Sequence, residues 1–138
     1  MRSLTPEDFS MARVLGIDPD WHSTACVMLI DGKLEAALEL PVDPKLRGRE
    51  AYEATIEAIV SSTDLEAGML WADLVVIEGQ EFYLHKAEAN KSVQGLCYIS
   101  GALFAMAAGI GVDRLMPKPK EWKSNLDKKE KQISICRQ

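Results

Sequence analysis

The stretch Val14-Leu15-Gly16-Ile17-Asp18-Pro19-Asp20 reads as a short apolar strand that ends by presenting a carboxylate. Val14, Leu15 and Ile17 form a near-continuous run of β-formers, the pattern of a strand buried on both faces. Pro19 stops the ladder because it has no N–H to donate. Asp18 is then left at the edge of an apolar core, where a lone charge is costly unless a cation meets it. A second apolar run, Leu74-Val75-Val76-Ile77, ends the same way on Glu78. Either acid alone reads as an ordinary turn or helix-cap residue. Two buried strands that each deliver a carboxylate read as a divalent-metal site built on rigid elements.

Beyond Asp20, Trp21-His22-Ser23 is polar and turn-like, and Thr24 to Ile30 is a second strand. Asp31-Gly32 is a two-residue hairpin signal that needs positive φ at both positions. Lys33 to Leu40 follows as a third strand, with Leu34, Ala36, Leu38 and Leu40 alternating, and Pro41 closes it. The chain therefore opens with a three-stranded meander whose first strand is central. After a polar loop from Val42 to Arg49, Glu50 to Thr63 has the spacing of an amphipathic helix, with Tyr52, Ile56, Ile59, Val60 and Thr63 on one face. Gly68 is expected to break the pattern, and Asp73 leads into the strand that ends on Glu78. A helix between strands predicts a right-handed crossover to a parallel neighbour. That arrangement would bring Asp18 and Glu78 to the same end of adjacent strands.

Gly79 to Ala89 is polar and contains Glu81, Phe82, Tyr83, His85 and Lys86. A long helix is predicted from about Asn90 to Ala108, rich in small residues that let another element approach closely. Gly109 and Gly111 are expected to end it. Val112 to Met116 is a fifth strand, closed by Pro117-Lys118-Pro119-Lys120. Glu121-Trp122-Lys123 follows, and a last helix runs from Lys128 to Arg137 behind an Asp127 cap. The sum is an α/β fold: a five-stranded mixed sheet, three antiparallel strands and then parallel ones, with helices on both faces. It forms a single domain over residues 13–138, behind an arm over residues 1–12, and the chain stops while its last helix is still running.

Composition permits this fold and narrows the function. The 138 residues suffice for one sizeable core, and 47% hydrophobic with 27% charged residues is ordinary for a globular protein. No uninterrupted apolar run reaches the roughly 20 residues of a membrane span, and the first twelve residues carry no apolar leader core. Cys26, Cys97 and Cys136 are odd in number and far apart, which fits reduced thiols rather than a disulfide framework. His22 and His85 are too scattered for a zinc site. Net charge is −5, yet Asp113 to Gln138 carries eight Lys/Arg against four Asp/Glu, leaving that end at +4 and the remainder at −9. A basic face on an acidic body can track a phosphate backbone.

The order βββ-α-β-α-β-α, with acids after the first and fourth strands, resembles the ribonuclease H-like nuclease fold. Leu15-Gly16-Ile17-Asp18-Pro19, with Ser23-Thr24 beyond it, resembles the opening of the RuvC family of Holliday-junction resolvases. Val76-Ile77-Glu78-Gly79-Gln80-Glu81-Phe82 resembles that family's second acidic motif, and Ser92 to Ala108 its small-residue helix. Pro117, Trp122-Lys123 and Lys128-Lys129-Glu130-Lys131 resemble its basic segment, with variants most similar to the phage and organellar branches. Two departures stand out: Asp20 replaces the usual Gly after Asp-Pro, and the chain ends before the further acidic pair that the family carries on its final helix.

The resemblance implies phosphodiester hydrolysis of four-way DNA junctions. Asp18 and Glu78 would be the catalytic metal ligands for Mg²⁺ or Mn²⁺, two ions in all, with no organic cofactor. Asp20 and Glu81 are candidates to support those ligands from behind. Phe82 and Tyr83 would stack on exposed bases, and Lys118, Lys120, Trp122, Lys123, Lys128, Lys129 and Lys131 would contact the DNA. A homodimer is implied, because a junction has paired strands to cut, and no membrane partner is expected. The expected location is the cytoplasm of a bacterial or phage-infected cell, with an organelle as the alternative. Two other readings share the same residues. One is a DNA-binding module of this fold without catalysis. The other is an actin-like or sugar-kinase-type ATPase fragment, whose phosphate-cradling glycines have no counterpart in Pro19-Asp20-Trp21-His22.

Overall fold

A computed structural model describes residues 13–79 and 87–117. Five strands, β1 (Arg13–Asp18), β2 (Ser23–Ile30), β3 (Lys33–Pro41), β4 (Leu74–Ile77) and β5 (Asp113–Leu115), form one sheet in the order β3-β2-β1-β4-β5. β2 pairs antiparallel with both β1 and β3, whereas β4 pairs parallel with both β1 and β5. The expected mixed sheet, with β1 at its centre, is therefore present. Centrality suits the composition of β1, since Val14, Leu15 and Ile17 are 0%, 1% and 4% exposed. Asp31 and Gly32 turn the β2–β3 hairpin with φ of 51° and 77°, the double positive φ that their identities predict.

Among the described residues three helices connect the strands: α1 (Gly48–Ser61), α2 (Thr63–Trp71) and α3 (Ala87–Ile110). The helix expected over Glu50 to Thr63 is α1, which ends at Ser61, and α2 begins at Thr63 where the sequence predicts no helix. The Ser62 hydroxyl accepts the Leu65 N–H at 3.0 Å and so caps a new start. Gly68 does not break helical structure; it lies inside α2, buried where the helix presses on the sheet. A Cβ there would come within 2.9 Å of Met28 Cε, so the missing side chain is what permits the approach. The buried stripe of α1 is Ala51, Thr55 and Ile59, each four residues apart. Val60, expected on that face, lies one residue round the helix and is 61% exposed. α3 continues through Gly109 and ends at Gly111, whose φ of 89° lets its N–H reach the carbonyls of Ala107 and Ala108.

All three helices contribute to one apolar cluster on one face of the sheet. Leu15, Ile17, Cys26, Val75 and Ile77 meet Ile59, Leu65, Met69, Ile99, Leu103 and Ala107 there. The stretch Val93–Ile110 is by length and composition apolar enough to cross a membrane, but its Ile99, Leu103 and Ala107 are spent on this core. The other face carries Val14, Leu29, Leu74 and Leu115, which are also buried. The helix expected from Asp127 onwards, the candidate for that face, lies outside the described residues. At the far end of the sheet Arg13 and Asp73 lock the β1–β4 register. The Arg13 N–H donates to Asp73 Oδ2 at 3.0 Å, the Asp73 N–H donates to the Arg13 carbonyl at 2.8 Å, and the side chains pair at 3.3 Å.

The expected alternation of β3 is broken. Met28 pairs with Ala36 while Leu29 pairs with Leu34, so Glu35 is an extra residue in the edge strand. Leu34 is thereby shifted out of phase with Ala36, Leu38 and Leu40 and is 52% exposed.

Candidate active site

Asp18 is the last residue of β1, and Glu78 directly follows β4. Ile17 and Ile77 are partners in the parallel ladder, and the Glu78 N–H donates to the Ile17 carbonyl at 3.0 Å. The two acids thus leave neighbouring strands at the same level, one strand spacing of about 4.8 Å apart. Leu15, Ile17, Val75 and Ile77 point into the helix-covered core, so alternation turns Asp18 and Glu78 towards the opposite face. Both are half-buried. Like charges side by side on neighbouring strands disfavour one another, and a cation between them reverses the sign of that interaction.

The turn after Asp18 is held by contacts that no local sequence pattern announces. The Trp21 ring stands edge-on to Tyr52, with centroids 5.8 Å apart, and Tyr52 in turn meets Tyr98 at 5.2 Å. The same indole lies against α3 at Gly95, where even a methyl group would overlap its six-membered ring. The Thr55 hydroxyl donates to the Trp21 carbonyl at 2.5 Å. Asp20 is exposed, and its Oδ1 accepts the Trp21 N–H at 2.7 Å, so this acid stabilises its own turn. The turn carrying Glu78 is held from α3 as well: buried Ser100 donates to the Glu78 carbonyl at 3.4 Å. The Gly79 N–H donates to the Pro117 carbonyl at 2.8 Å, and a Cβ on Gly79 would sit 3.1 Å from that oxygen. One helix therefore braces both acid-bearing turns. The small residues of α3 were visible in sequence, but the groups that pack against them were not.

Among the described residues, no group of three or more His, Cys, Asp or Glu side chains converges as a metal site. The donors that the β1–β4 pairing brings to one level are two carboxylates, hard oxygen ligands of the kind Mg²⁺ and Mn²⁺ take. Mg²⁺ is commonly held by one or two carboxylates, with water and substrate phosphate completing its shell, so this donor set fits such an ion. His22 is engaged elsewhere, its Nε2 lying 2.8 Å from the Leu46 carbonyl. Burial pushes the Cys26 thiol up to about 12, which leaves it inert, and neither Cys26 nor Cys97 is in a disulfide. Glu81, Phe82, Tyr83, Lys118, Lys120, Trp122, Lys123, Lys128, Lys129 and Lys131 lie outside the described residues, as does Cys136.

The order and direction of the strands, with an acid at the end of each of the two central parallel ones, define a ribonuclease H-like α/β fold. Within that class the architecture is RuvC-like. T. thermophilus RuvC in complex with a Holliday junction substrate superposes with a TM-score of 0.61 at 19% identity, over 88% of this chain and 73% of that one. A second Thermus thermophilus RuvC structure superposes with a TM-score of 0.54 at 20% identity, over 86% and 74% of the two chains. At these identities the likeness establishes the fold. No protein-family model matches the sequence, and no curated protein matches it.

Proposed function

We propose that the chain is a metal-dependent, structure-selective endonuclease that resolves four-way DNA junctions by phosphodiester hydrolysis. The observation that carries this reading is the pairing of Ile17 with Ile77, which sets Asp18 beside Glu78 in a fold shared with a RuvC seen on a junction. Asp18 and Glu78 would hold Mg²⁺ or Mn²⁺, two ions in all. Bound there, the metal supplies a hydroxide nucleophile at neutral pH and positive charge for the leaving oxygen. The protein's own part is to fix its two carboxylates on rigid strand ends and to hold the scissile phosphate beside them. Phe82 and Tyr83 are assigned to stacking at the branch point, and Lys118, Lys120, Trp122, Lys123, Lys128, Lys129 and Lys131 to the DNA.

A two-fold dimer belongs to the same reading, with α3 as its seam. Tyr98, Gly101, Ala105 and Ala108 are exposed on that helix, and small side chains there permit close approach of a second copy.

The test is cleavage of a labelled four-way junction in Mg²⁺ by the unaltered chain and by Asp18→Asn and Glu78→Gln. Each substitution is expected to lower the rate at least about 100-fold while junction binding in the absence of divalent ions is retained. Cleavage by either variant at the unaltered rate overturns the site. A second reading, branched-DNA binding without catalysis, draws on the donor set of only two carboxylates among the described residues. Tight junction binding with no cleavage in Mg²⁺ or Mn²⁺ would favour it.

A further inference from the structure

At the rim where β1 ends, β2 begins, and its first residue is Ser23. Asp18 is the cross-strand partner of Ala25. Alternation along β2 puts Ser23 on the face of Ala25, which is the face to which the two carboxylates are turned. Thr24 and Cys26, the intervening residues, point the other way and are buried, Cys26 in the helix-covered core. Ser23 lies one strand over from Asp18 and two residues along, about 8 Å away across the sheet.

The chemistry of this end of the face is one-sided. β3 supplies Glu39, the partner of Ala25, and Pro41, the partner of Ser23. Ionised, the side chains of Asp18, Glu78 and Glu39 only accept hydrogen bonds, and those of Ala25 and Pro41 hold no polar atom. Ser23 is therefore the one described strand residue at this end of the face whose side chain can donate. Its hydroxyl bonds no described group, and the residue is half-buried rather than sealed. The position is nevertheless firmly held. The His22 carbonyl just before it accepts the Val42 N–H at 2.9 Å, and the Trp21 carbonyl accepts the Thr55 hydroxyl at 2.5 Å. The fold thus fixes a donor beside the carboxylate pair and makes no use of it.

Charge decides when that donor meets a ligand. Glu39 is exposed and adds a third carboxylate to the row Glu78, Asp18, Ala25, Glu39. The row repels a phosphate until a divalent cation reverses its sign. We propose that the Ser23 hydroxyl donates to a non-bridging oxygen of the phosphate next to the scissile one, and so sets the path of the cut strand across the start of β2. The inference rests on the nuclease reading and adds to it which group of the protein holds the strand beside the cut. A hydrogen bond of this kind positions the backbone and carries no base preference.

Single-turnover cleavage of a labelled four-way junction in Mg²⁺ tests the proposal, with a neutral methylphosphonate placed in turn at each phosphate flanking the cut. Ser23→Ala is expected to lower kcat/KM about 10-fold or more on the unmodified junction, the typical loss for a hydrogen bond to a charged group. Its urea midpoint should match that of the unaltered chain, and Ser23→Thr, which keeps the hydroxyl, should recover most of the rate. On the junction whose methylphosphonate replaces the contacted phosphate, the unaltered chain and Ser23→Ala should cleave at about the same rate, because the contact is already lost. A Ser23→Ala defect that persists at every modified junction, or no defect on the unmodified one, overturns the contact and leaves the nuclease reading standing. No cleavage of the unmodified junction by the unaltered chain overturns both.

Discussion

Asp18 and Glu78 owe their adjacency to main-chain atoms, above all to the Glu78 N–H on the Ile17 carbonyl. Both were legible because each ends a run that only a buried strand explains, and the carboxylate is the residue that breaks the run. Their supports were not legible. Nothing around Trp21 names Gly95 as its seat, since the two are 74 positions apart and meet only through the fold. Thr24 is a residue with a measurable consequence of its own. It is fully buried, and among the described residues its hydroxyl has no hydrogen-bond partner. Thr24→Val keeps the shape and the strand preference and removes an uncompensated polar atom, so it is expected to stabilise the fold by about 1 kcal/mol. A rise in the urea midpoint at constant slope checks this; a fall means that the hydroxyl has a partner.

Among the elements, β1, β2 and β4 matched their apolar runs closely, since buried strands in a mixed sheet are recognisable from continuity alone. α2 is hidden in the sequence because Gly68 reads as a breaker, whereas it serves the close contact between that helix and Met28. The Glu35 bulge was missed because an extra residue in one strand leaves no mark on composition. α3 offers the sharpest test at this scale, as two of its glycines predict opposite outcomes. Gly101→Ala meets nothing within 4 Å, so the gain in helix propensity, about 1 kcal/mol, stands unopposed. Gly95→Ala earns the same gain but drives a methyl into Trp21, at a typical overpacking cost of about 1 to 3 kcal/mol. It should therefore leave stability level or lower it by up to about 2 kcal/mol, and junction cleavage should fall more than junction binding because the displaced indole carries the turn after Asp18. Denaturant midpoints and single-turnover rates for the pair separate the two effects, and equal behaviour of the two variants would show that the indole is not held at Gly95.

For the whole molecule, three described helices crowd one side of the sheet and leave the outer face of α3 apolar and small. If that face is the dimer seam, the chain sediments at twice its own mass. Ala105→Glu, which places an uncompensated charge on the exposed stripe, should then halve that mass with no loss of helical signal. An unaltered chain that sediments as a monomer at micromolar concentration removes the dimer from the proposal.

The ladder between β1 and β4 also has a temporal meaning. Its partners lie 60 positions apart along the chain and close only after both α1 and α2 have been made, so the carboxylates cannot meet in a nascent or half-folded polypeptide. A cell synthesising this protein brings the two acid-bearing strand ends together only when the long-range closure is complete, and a chain that stalls before Glu78 lacks the second carboxylate altogether.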